Sequence, residues 1–129
     1  MTQANLTYVE HVAIRVKEID WHLRFFSEVL GMTPRREIGG VDGKPRQVWT
    51  IGGMQFIADP DFVGPEGRLG HIGIMADDQE AVLAAARAWG AKELPQGRHF
   101  LALPDGLVIE ILPATSGSVA AALAVDPRS

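Results

Sequence analysis

The chain has 129 residues, of which 47% are hydrophobic and 22% are charged, and this composition predicts an ordinary globular domain with one core. Its formal net charge of −4 gives no electrostatic reason to expect nucleic acid or an anionic membrane as a partner. Cysteine is absent, which excludes disulfides, thiolate nucleophiles and cysteine-ligated metal sites. Any metal must therefore be bound by histidine, carboxylate or amide oxygen.

The first half of the chain predicts a strand, a helix and two more strands. The segment HVAIRV alternates between an aliphatic face and a face that carries His11, Ala13 and Arg15. The segment DWHLRFFSEVLG has an apolar stripe at helical spacing, with Asp20 as the expected N-cap and Gly31 as the residue that ends the helix. After a polar, glycine-rich turn, the segments QVWTI and MQFIA read as strands.

After a connector rich in proline and glycine, the same pattern starts again. The segment HIGIM alternates, with Ile72 and Ile74 on one face and His71 on the other. The segment DDQEAVLAAARAWG predicts a helix in which Asp77 and Glu80 are spaced as a capping box. The segments HFLAL and LVIEIL follow as strands joined by the turn PDG.

The two halves therefore repeat one supersecondary unit, in which a strand that begins with histidine leads into an amphipathic helix and further strands. We predict an α+β fold of two βαβββ modules within a single domain of residues 1–129. Module 1 covers about residues 8–58, a connector covers 59–69, module 2 covers about 70–113 and a C-terminal tail covers 114–129.

Four polar residues occupy the strand faces that point away from the predicted helices. They are His11, Gln55, His71 and Glu110. A carboxylate within an apolar strand is costly to bury alone, and a cation would offset that cost. Two histidines and a carboxylate suit a divalent first-row metal, and an amide oxygen is an acceptable fourth ligand.

Each of these residues also has a simpler interpretation. A strand histidine can be an ordinary hydrogen-bonded residue, and Glu110 can be an edge-strand carboxylate in water. The equivalent positions of His11 and His71 in the repeat favour the metal site, because an ordinary histidine has no reason to recur there. Ala13 and Gly73 follow the two histidines at the same spacing, and their small size leaves room for a ligand.

The segments EHVAIRV, FFSEVLGM, GHIGIM and LALPDGLVIEIL, spread over about residues 8–113, resemble the vicinal-oxygen-chelate superfamily of glyoxalases, bleomycin-resistance proteins and extradiol dioxygenases. The resemblance implies that the modules form an incomplete, curved mixed β-barrel with the helices outside. It also implies a divalent cofactor (Mg, Mn, Co, Ni, Zn or Fe) whose ligands are His11, Gln55, His71 and Glu110. This ligand set is nearest to that of methylmalonyl-CoA epimerase-like and glyoxalase-like members.

The number of ligands separates the reaction classes that this resemblance implies. With Gln55 as a fourth ligand, two positions remain for a small substrate that chelates through vicinal oxygens. We therefore expect a metal-dependent isomerase, epimerase or lyase that works through an enediolate-type intermediate. Without Gln55, three open positions would suit an Fe(II) extradiol-type dioxygenase. A transferase of the fosfomycin type and a metal-free drug-binding protein are further alternatives within the same fold.

Proton transfer requires a base, for which there are three candidates. Glu37 follows the first helix, where epimerase-like members carry a carboxylate. Glu110 could move protons if it leaves the metal, as in glyoxalase-type members, and His99 is the third candidate. Arg15 shares the strand face of His11, so we expect it to anchor a carboxylate of the substrate.

The remaining expectations concern partners and location. No apolar run approaches the roughly 18 residues of a membrane-spanning helix, and the segment MTQANLTYVEH lacks the basic and apolar regions of a signal peptide. We therefore predict a cytoplasmic protein that binds a small-molecule substrate and neither membranes nor nucleic acid. An incomplete barrel leaves strand edges and apolar surface to cover, so we also expect a homodimer.

Overall fold

The computed structural model describes residues 5–30, 32–63, 67–104 and 106–125. The order β-α-β-β-β occurs twice, which confirms the predicted α+β fold of two βαβββ modules. The predicted helix end at Gly31 and the predicted turn residue Asp105 lie outside the described residues. The elements are β1 (Thr7–Val16), α1 (Ile19–Glu28), β2 (Pro34–Ile38), β3 (Gln47–Thr50), β4 (Met54–Ala58), β5 (Leu69–Ala76), α2 (Gln79–Ala88), β6 (Lys92–Leu94), β7 (Gly97–Ala102), β8 (Val108–Pro113) and α3 (Ser118–Leu123).

The chain divides into two compact units. The first unit is His11–His71, and the second combines Met1–Glu10 with Ile72–Ser129. Strands β1 and β5 each contribute residues to both units. The predicted bounds of the modules and of the connector stay a prediction. In the parts of the chain that the structure describes, no helix is long and apolar enough to cross a membrane.

The sheet of the first unit has the strand order β2-β3-β4-β1. Strand β4 runs parallel to β1, with Ala13 in register with Gln55, whereas β3 is antiparallel to both β2 and β4. The first residues of β5 lie beside β1, where Gly70 approaches Ala13 and the backbone N–H of Arg15 donates to the carbonyl of Arg68 at 2.7 Å. This arrangement places the C-terminal half of β1 beside the start of β5.

Helix α1 covers one face of this sheet, and His11 lies on the other face. The core between helix and sheet consists of buried aliphatic and aromatic side chains: Val16, Ile19, Leu23, Val48 and Phe56. Phe26 adds an edge-to-face contact with Phe56, with ring centroids 4.9 Å apart. Because strand side chains alternate between faces, the residues that share the face of His11 are those left out of this core.

The second unit repeats this plan with the strand order β5-β8-β7-β6. Strand β8 runs parallel to β5, with Gly73 in register with Glu110, and the other pairs are antiparallel. Its core lies beneath α2 and consists of Ala76, Leu83, Ala91, Leu101 and Ile111. Apolar burial is the main stabilising contribution to each unit, at about 25 cal/mol per Å² of buried apolar surface.

The predicted N-cap of the first helix is wrong. Helix α1 begins at Ile19, and Glu18 occupies the N-cap position without a side-chain hydrogen bond. Asp20 lies inside the first turn, where its carboxylate accepts a hydrogen bond from Arg46 at 2.7 Å. A charged hydrogen bond to a guanidinium is stronger than one to a backbone amide, which accounts for this choice of partner.

The predicted capping box of the second helix is also wrong. The N-cap of α2 is Asp78, not Asp77, and its carboxylate accepts the backbone N–H of Ala81 at 3.1 Å. Glu80 does not reach back to the helix start, because Arg98 donates to both of its oxygens at 2.6 and 2.8 Å. Those hydrogen bonds hold the pKa of Glu80 below its usual value.

Candidate functional site

His11 of β1 and His71 of β5 meet in the first unit, although each lies inside its strand and not at its start. The Nε2 atoms of His11 and His71 are 3.1 Å apart, and their rings stand edge to face with centroids separated by 5.2 Å. His11 is only 4% exposed. Two residues 60 positions apart in the chain therefore present the same ring nitrogen to each other. Either one nitrogen donates a hydrogen bond to the other, or both face a shared cation.

The distance between these nitrogens tests whether the pair fits a metal. With metal–imidazole bonds of about 2.1 Å, ligands at right angles have nitrogens about 3.0 Å apart, and tetrahedral ligands about 3.4 Å apart. The observed 3.1 Å lies between these values. The distance between the Nε2 atoms of His11 and His71 therefore suits neighbouring positions around one divalent ion, and it equally suits a direct hydrogen bond between the two rings.

Gln55 lies on the same face as these histidines. Its register with Ala13 on the parallel strand β1 puts its side chain on the face of Ala13, which is also the face of His11. Gln55 is 2% exposed, and its amide nitrogen donates to the side-chain oxygen of Gln47 at 2.8 Å. That hydrogen bond uses the nitrogen end of the amide, so the oxygen is the end that could bind a cation.

Gln47 was not among the site residues that the sequence indicated. Its signal is the alternation of QVWT, which puts Gln47 and Trp49 on one face of β3 and Val48 in the core. The partner itself is set by the pairing of β3 with β4, where Trp49 is in register with Gln55. Such an antiparallel register depends on the turn between the strands, which the alternation alone does not determine.

Glu110 belongs to the second unit and lies on the face of β8 opposite its core. Ile111 next to it is buried in the core, and Ile109 packs against the same cluster. Glu110 is in register with Gly73, which is buried and carries no side chain. Gly73 follows His71 by two residues on the continuous strand β5. The side chain of Glu110 is 14% exposed.

His99 is a predicted site residue that the structure places beside Glu110. Its Nε2 lies 3.8 Å from the Oε2 atom of Glu110, at the limit of an ion pair. The ring also contacts Phe100, with centroids 4.7 Å apart, and Phe100 is in register with Glu110. The catalytic role predicted for His99 stays a prediction.

Glu37 lies on the helix side of the first unit. Its neighbour in register is the buried core residue Val48, and its two oxygens accept hydrogen bonds from Arg46 at 2.9 and 3.3 Å. Arg46 also binds Asp20 of α1. The hydrogen bonds to Glu37 and then to Asp20 hold the pKa of Arg46 above its usual value. Glu37 therefore has a partner that a catalytic base would have to give up.

The guanidinium of Arg15, the predicted substrate anchor, is bound to the connector. Its Nη2 donates to the carbonyl of Gly67 and approaches that of Leu69 at 3.5 Å. Its Nε lies 4.0 Å from the carboxylate of Asp59. These contacts hold the connector against β1, and the role of Arg15 toward a substrate stays a prediction.

The chain is similar in sequence to one protein family. The family model of the Glyoxalase/Bleomycin resistance protein/Dioxygenase superfamily matches residues 8–111. No curated protein sequence matches the chain. The family match covers most of the chain and includes His11, Gln55, His71 and Glu110.

The chain is also similar in structure to methylmalonyl-CoA epimerases. The enzyme from Mycobacterium tuberculosis is 20% identical, with a TM-score of 0.63, over 93% of this chain and 97% of that one. A structure of methylmalonyl-CoA epimerase with methylmalonyl-CoA and NH4+ is 20% identical, with a TM-score of 0.62, over 88% and 97% of the two chains. A Streptomyces coelicolor variant in complex with 2-nitronate-propionyl-CoA is 19% identical, with a TM-score of 0.61, over 85% and 96%. The TM-scores show a shared fold, and at these identities the similarity extends no further than the fold.

Proposed function

Because the chain belongs to the Glyoxalase/Bleomycin resistance protein/Dioxygenase superfamily, we propose that it is a divalent-metal-dependent isomerase, epimerase or lyase. Its substrate would be a small molecule with two vicinal oxygens. The observation that carries the proposal is the 3.1 Å separation of the histidine Nε2 atoms. His11, His71 and Glu110 have the donor types that a metal ion requires, and we propose that they bind the ion with Gln55 as the fourth ligand.

A divalent ion bound by these residues would supply Lewis-acid stabilisation of negative charge on the substrate oxygens. The chain contributes three neutral donors and one negative charge, that of Glu110. The local net charge of about +1 suits a substrate that becomes more negative during reaction. Four protein donors leave space for a bidentate substrate but not for dioxygen as well, which favours proton transfer over oxidation.

Glu110, which lies on the face of β8 opposite its core, is the first candidate for the base, provided that it leaves the metal. His99 beside it at 3.8 Å is the second candidate. Glu37 is less suited, since Arg46 binds both of its oxygens on the helix side of its sheet. A base that accepts a substrate proton must be within hydrogen-bond reach of that proton, and an existing ion pair competes with this.

One observation keeps the dioxygenase alternative open. The Gln55 amide is held by Gln47 at 2.8 Å. If that hydrogen bond keeps the Gln55 oxygen away from the ion, three protein ligands remain, an arrangement found in Fe(II) oxygenases.

The reaction class can be tested with methylmalonyl-CoA, which is bound in one of the structurally similar epimerases. We expect protein loaded with Co²⁺ or Mg²⁺ under argon to exchange the substrate C–H proton with solvent deuterium, as followed by proton NMR. Chelator-treated protein is the control and should show no exchange. Gln55→Ala should slow the exchange, because it removes a proposed ligand. Oxygen uptake with a catechol and Fe²⁺, without exchange under argon, would contradict the proposal.

We further propose that the protein acts in the cytoplasm as a homodimer. Support for a dimer comes from the exposed apolar residues of α1 and its C-cap. Trp21 and Phe25 of the helix stack with ring centroids 5.2 Å apart, and the C-cap residue Val29 is 63% exposed. Apolar surface of this kind, next to edge strands such as β2, is commonly covered by a second copy.

A further inference from the structure

We propose that His99 is a positioning residue that holds the Glu110 carboxylate in the orientation needed to bind the metal. This inference rests on the proposed function, because it assigns Glu110 as a ligand. The Nε2 atom of His99 faces the Oε2 atom of Glu110 at 3.8 Å, and the two side chains are 37% and 14% exposed. An imidazole N–H at this position can orient the carboxylate, as partners of metal-ligating carboxylates do.

Gly97 makes the space that the His99 ring occupies. A Cβ atom on Gly97 would lie 2.7 Å from Cε1 and 2.9 Å from Nδ1 of His99, which is closer than such atoms approach. Gly97 also has a φ of +154°, a conformation that other residues rarely adopt. The ring of Phe100 packs against His99 as well, with centroids 4.7 Å apart. The imidazole is therefore confined, with its Nε2 atom facing Glu110.

The contact between this ring and Glu110 is a side-chain contact that the strand register does not set. Phe100, the next residue, is the one in register with Glu110 on the adjacent strand, and His99 reaches the carboxylate through the position of its ring. The observed 3.8 Å exceeds a hydrogen bond, and a shift of a few tenths of an ångström would form one. Partners that orient a ligand in this way typically change metal affinity by about 10–100-fold.

The inference can be tested by titrating the purified full-length chain with Co²⁺ in the presence of a competing chelator. His99→Ala should raise the Kd for Co²⁺ by about 10–100-fold. Gly97→Ala should do the same, because its methyl group displaces the ring. His99→Gln should restore part of the affinity, since its side-chain N–H can reach the carboxylate. Gly106→Ala is the control, because Gly106 also has a positive φ but no atom within 4 Å of an added Cβ.

The outcomes distinguish this inference from the proposed function. If the wild-type protein binds no Co²⁺, the proposed function fails. If wild type binds Co²⁺ and both His99→Ala and Gly97→Ala retain its affinity, the inference is wrong and the proposed function stands. If His99→Gln is as weak as His99→Ala, the ring acts through packing and the positioning role is wrong. Circular dichroism of each variant checks that a loss of affinity is not a loss of fold.

Discussion

Glycine positions in the turn between β2 and β3 show how single residues determine the local backbone. Gly39 has a φ of +79° and Gly43 a φ of +73°, so both are in the left-handed region. They differ in their surroundings. A Cβ on Gly39 would overlap the backbone carbonyl of Pro45, whereas a Cβ on Gly43 would meet nothing within 4 Å. At Gly39 the turn therefore needs glycine both for the left-handed backbone and for the close approach of Pro45. At Gly43 it needs glycine for the left-handed backbone alone.

We expect Gly39→Ala to destabilise the protein more than Gly43→Ala. The left-handed conformation alone costs an alanine about 1–2 kcal/mol, and the overlap with Pro45 adds about 1–3 kcal/mol as an overpacked contact. Urea denaturation of both variants measures the two losses in the free energy of unfolding. Equal losses would show that the turn relaxes around Gly39 without cost.

The residues of the site were predictable to different degrees. His11 and His71 could be paired from the sequence because they occupy the same place in two copies of one repeat. The roles of Gln47 and Gly97 could not be predicted. Gln47 becomes a partner through the pairing of β3 with β4, and Gly97 matters only because the His99 ring occupies the space of its missing side chain. Contacts of this kind arise from register, which a local pattern does not specify.

At the scale of elements, the start of α2 depends on one carboxylate. Asp78 accepts the backbone N–H of Ala81, whereas the backbone N–H of Asp77 donates to the carbonyl of Leu6. Both aspartates are exposed, so they differ mainly in this capping bond. An N-cap side chain satisfies a helix N–H group that has no partner within the helix.

Asp78→Ala should therefore destabilise the protein by about 1 kcal/mol, the usual loss for an N-cap residue. Asp77→Ala is the matched control. It should change the free energy of unfolding by less than about 0.5 kcal/mol, as is usual for the substitution of an exposed side chain that caps no helix. Thermal unfolding followed by circular dichroism measures both. A greater loss for Asp77→Ala would restore Asp77 as the cap that the spacing suggested.

The ion pair between Glu80 and Arg98 makes stability depend on pH. Arg98 lowers the pKa of Glu80 in the folded state from its ordinary value of about 4.5. The stabilisation is therefore present above that ordinary value and is lost as the pH falls through the lowered pKa. We expect wild type to melt above Glu80→Gln at pH 7 and the difference to shrink as the pH falls below about 4.5. In an Arg98→Gln background, Glu80→Gln should cause a smaller pH-dependent difference, because Arg87 alone then lowers the pKa of Glu80. An undiminished difference would show that Arg98 is not the main partner.

Strands were predictable where alternation and burial coincide. Strand β4 matches the segment MQFIA, and β8 lies within one residue of LVIEIL, because each alternates around a buried core residue, Phe56 or Ile111. The exposed edge strand β2 could not be predicted in this way. Its sequence PRREI has no apolar alternation and every residue is exposed, so only pairing with β3 makes it a strand.

At the scale of the whole molecule, the repeat was the most informative feature of the sequence. It predicted two βαβββ modules, and the family match over residues 8–111 agrees with that fold. The division into compact units does not follow the repeat in the same way. The unit boundaries fall inside β1 and β5, at His11 and His71, so that each of these strands is shared by the two units. Sequence periodicity marks elements, whereas unit boundaries depend on the contacts between them.

The proposed function depends most directly on one property of the protein, the binding of a single metal ion by His11 and His71. Crystals of the protein grown with Co²⁺ test it directly through anomalous difference density. We predict one strong peak at about 2.1 Å from both Nε2 atoms, the usual length of a metal–imidazole bond, and its loss in a folded His71→Ala variant. A cobalt-soaked crystal with no peak at the histidine pair, or a His71→Ala crystal that keeps the peak, would contradict the account.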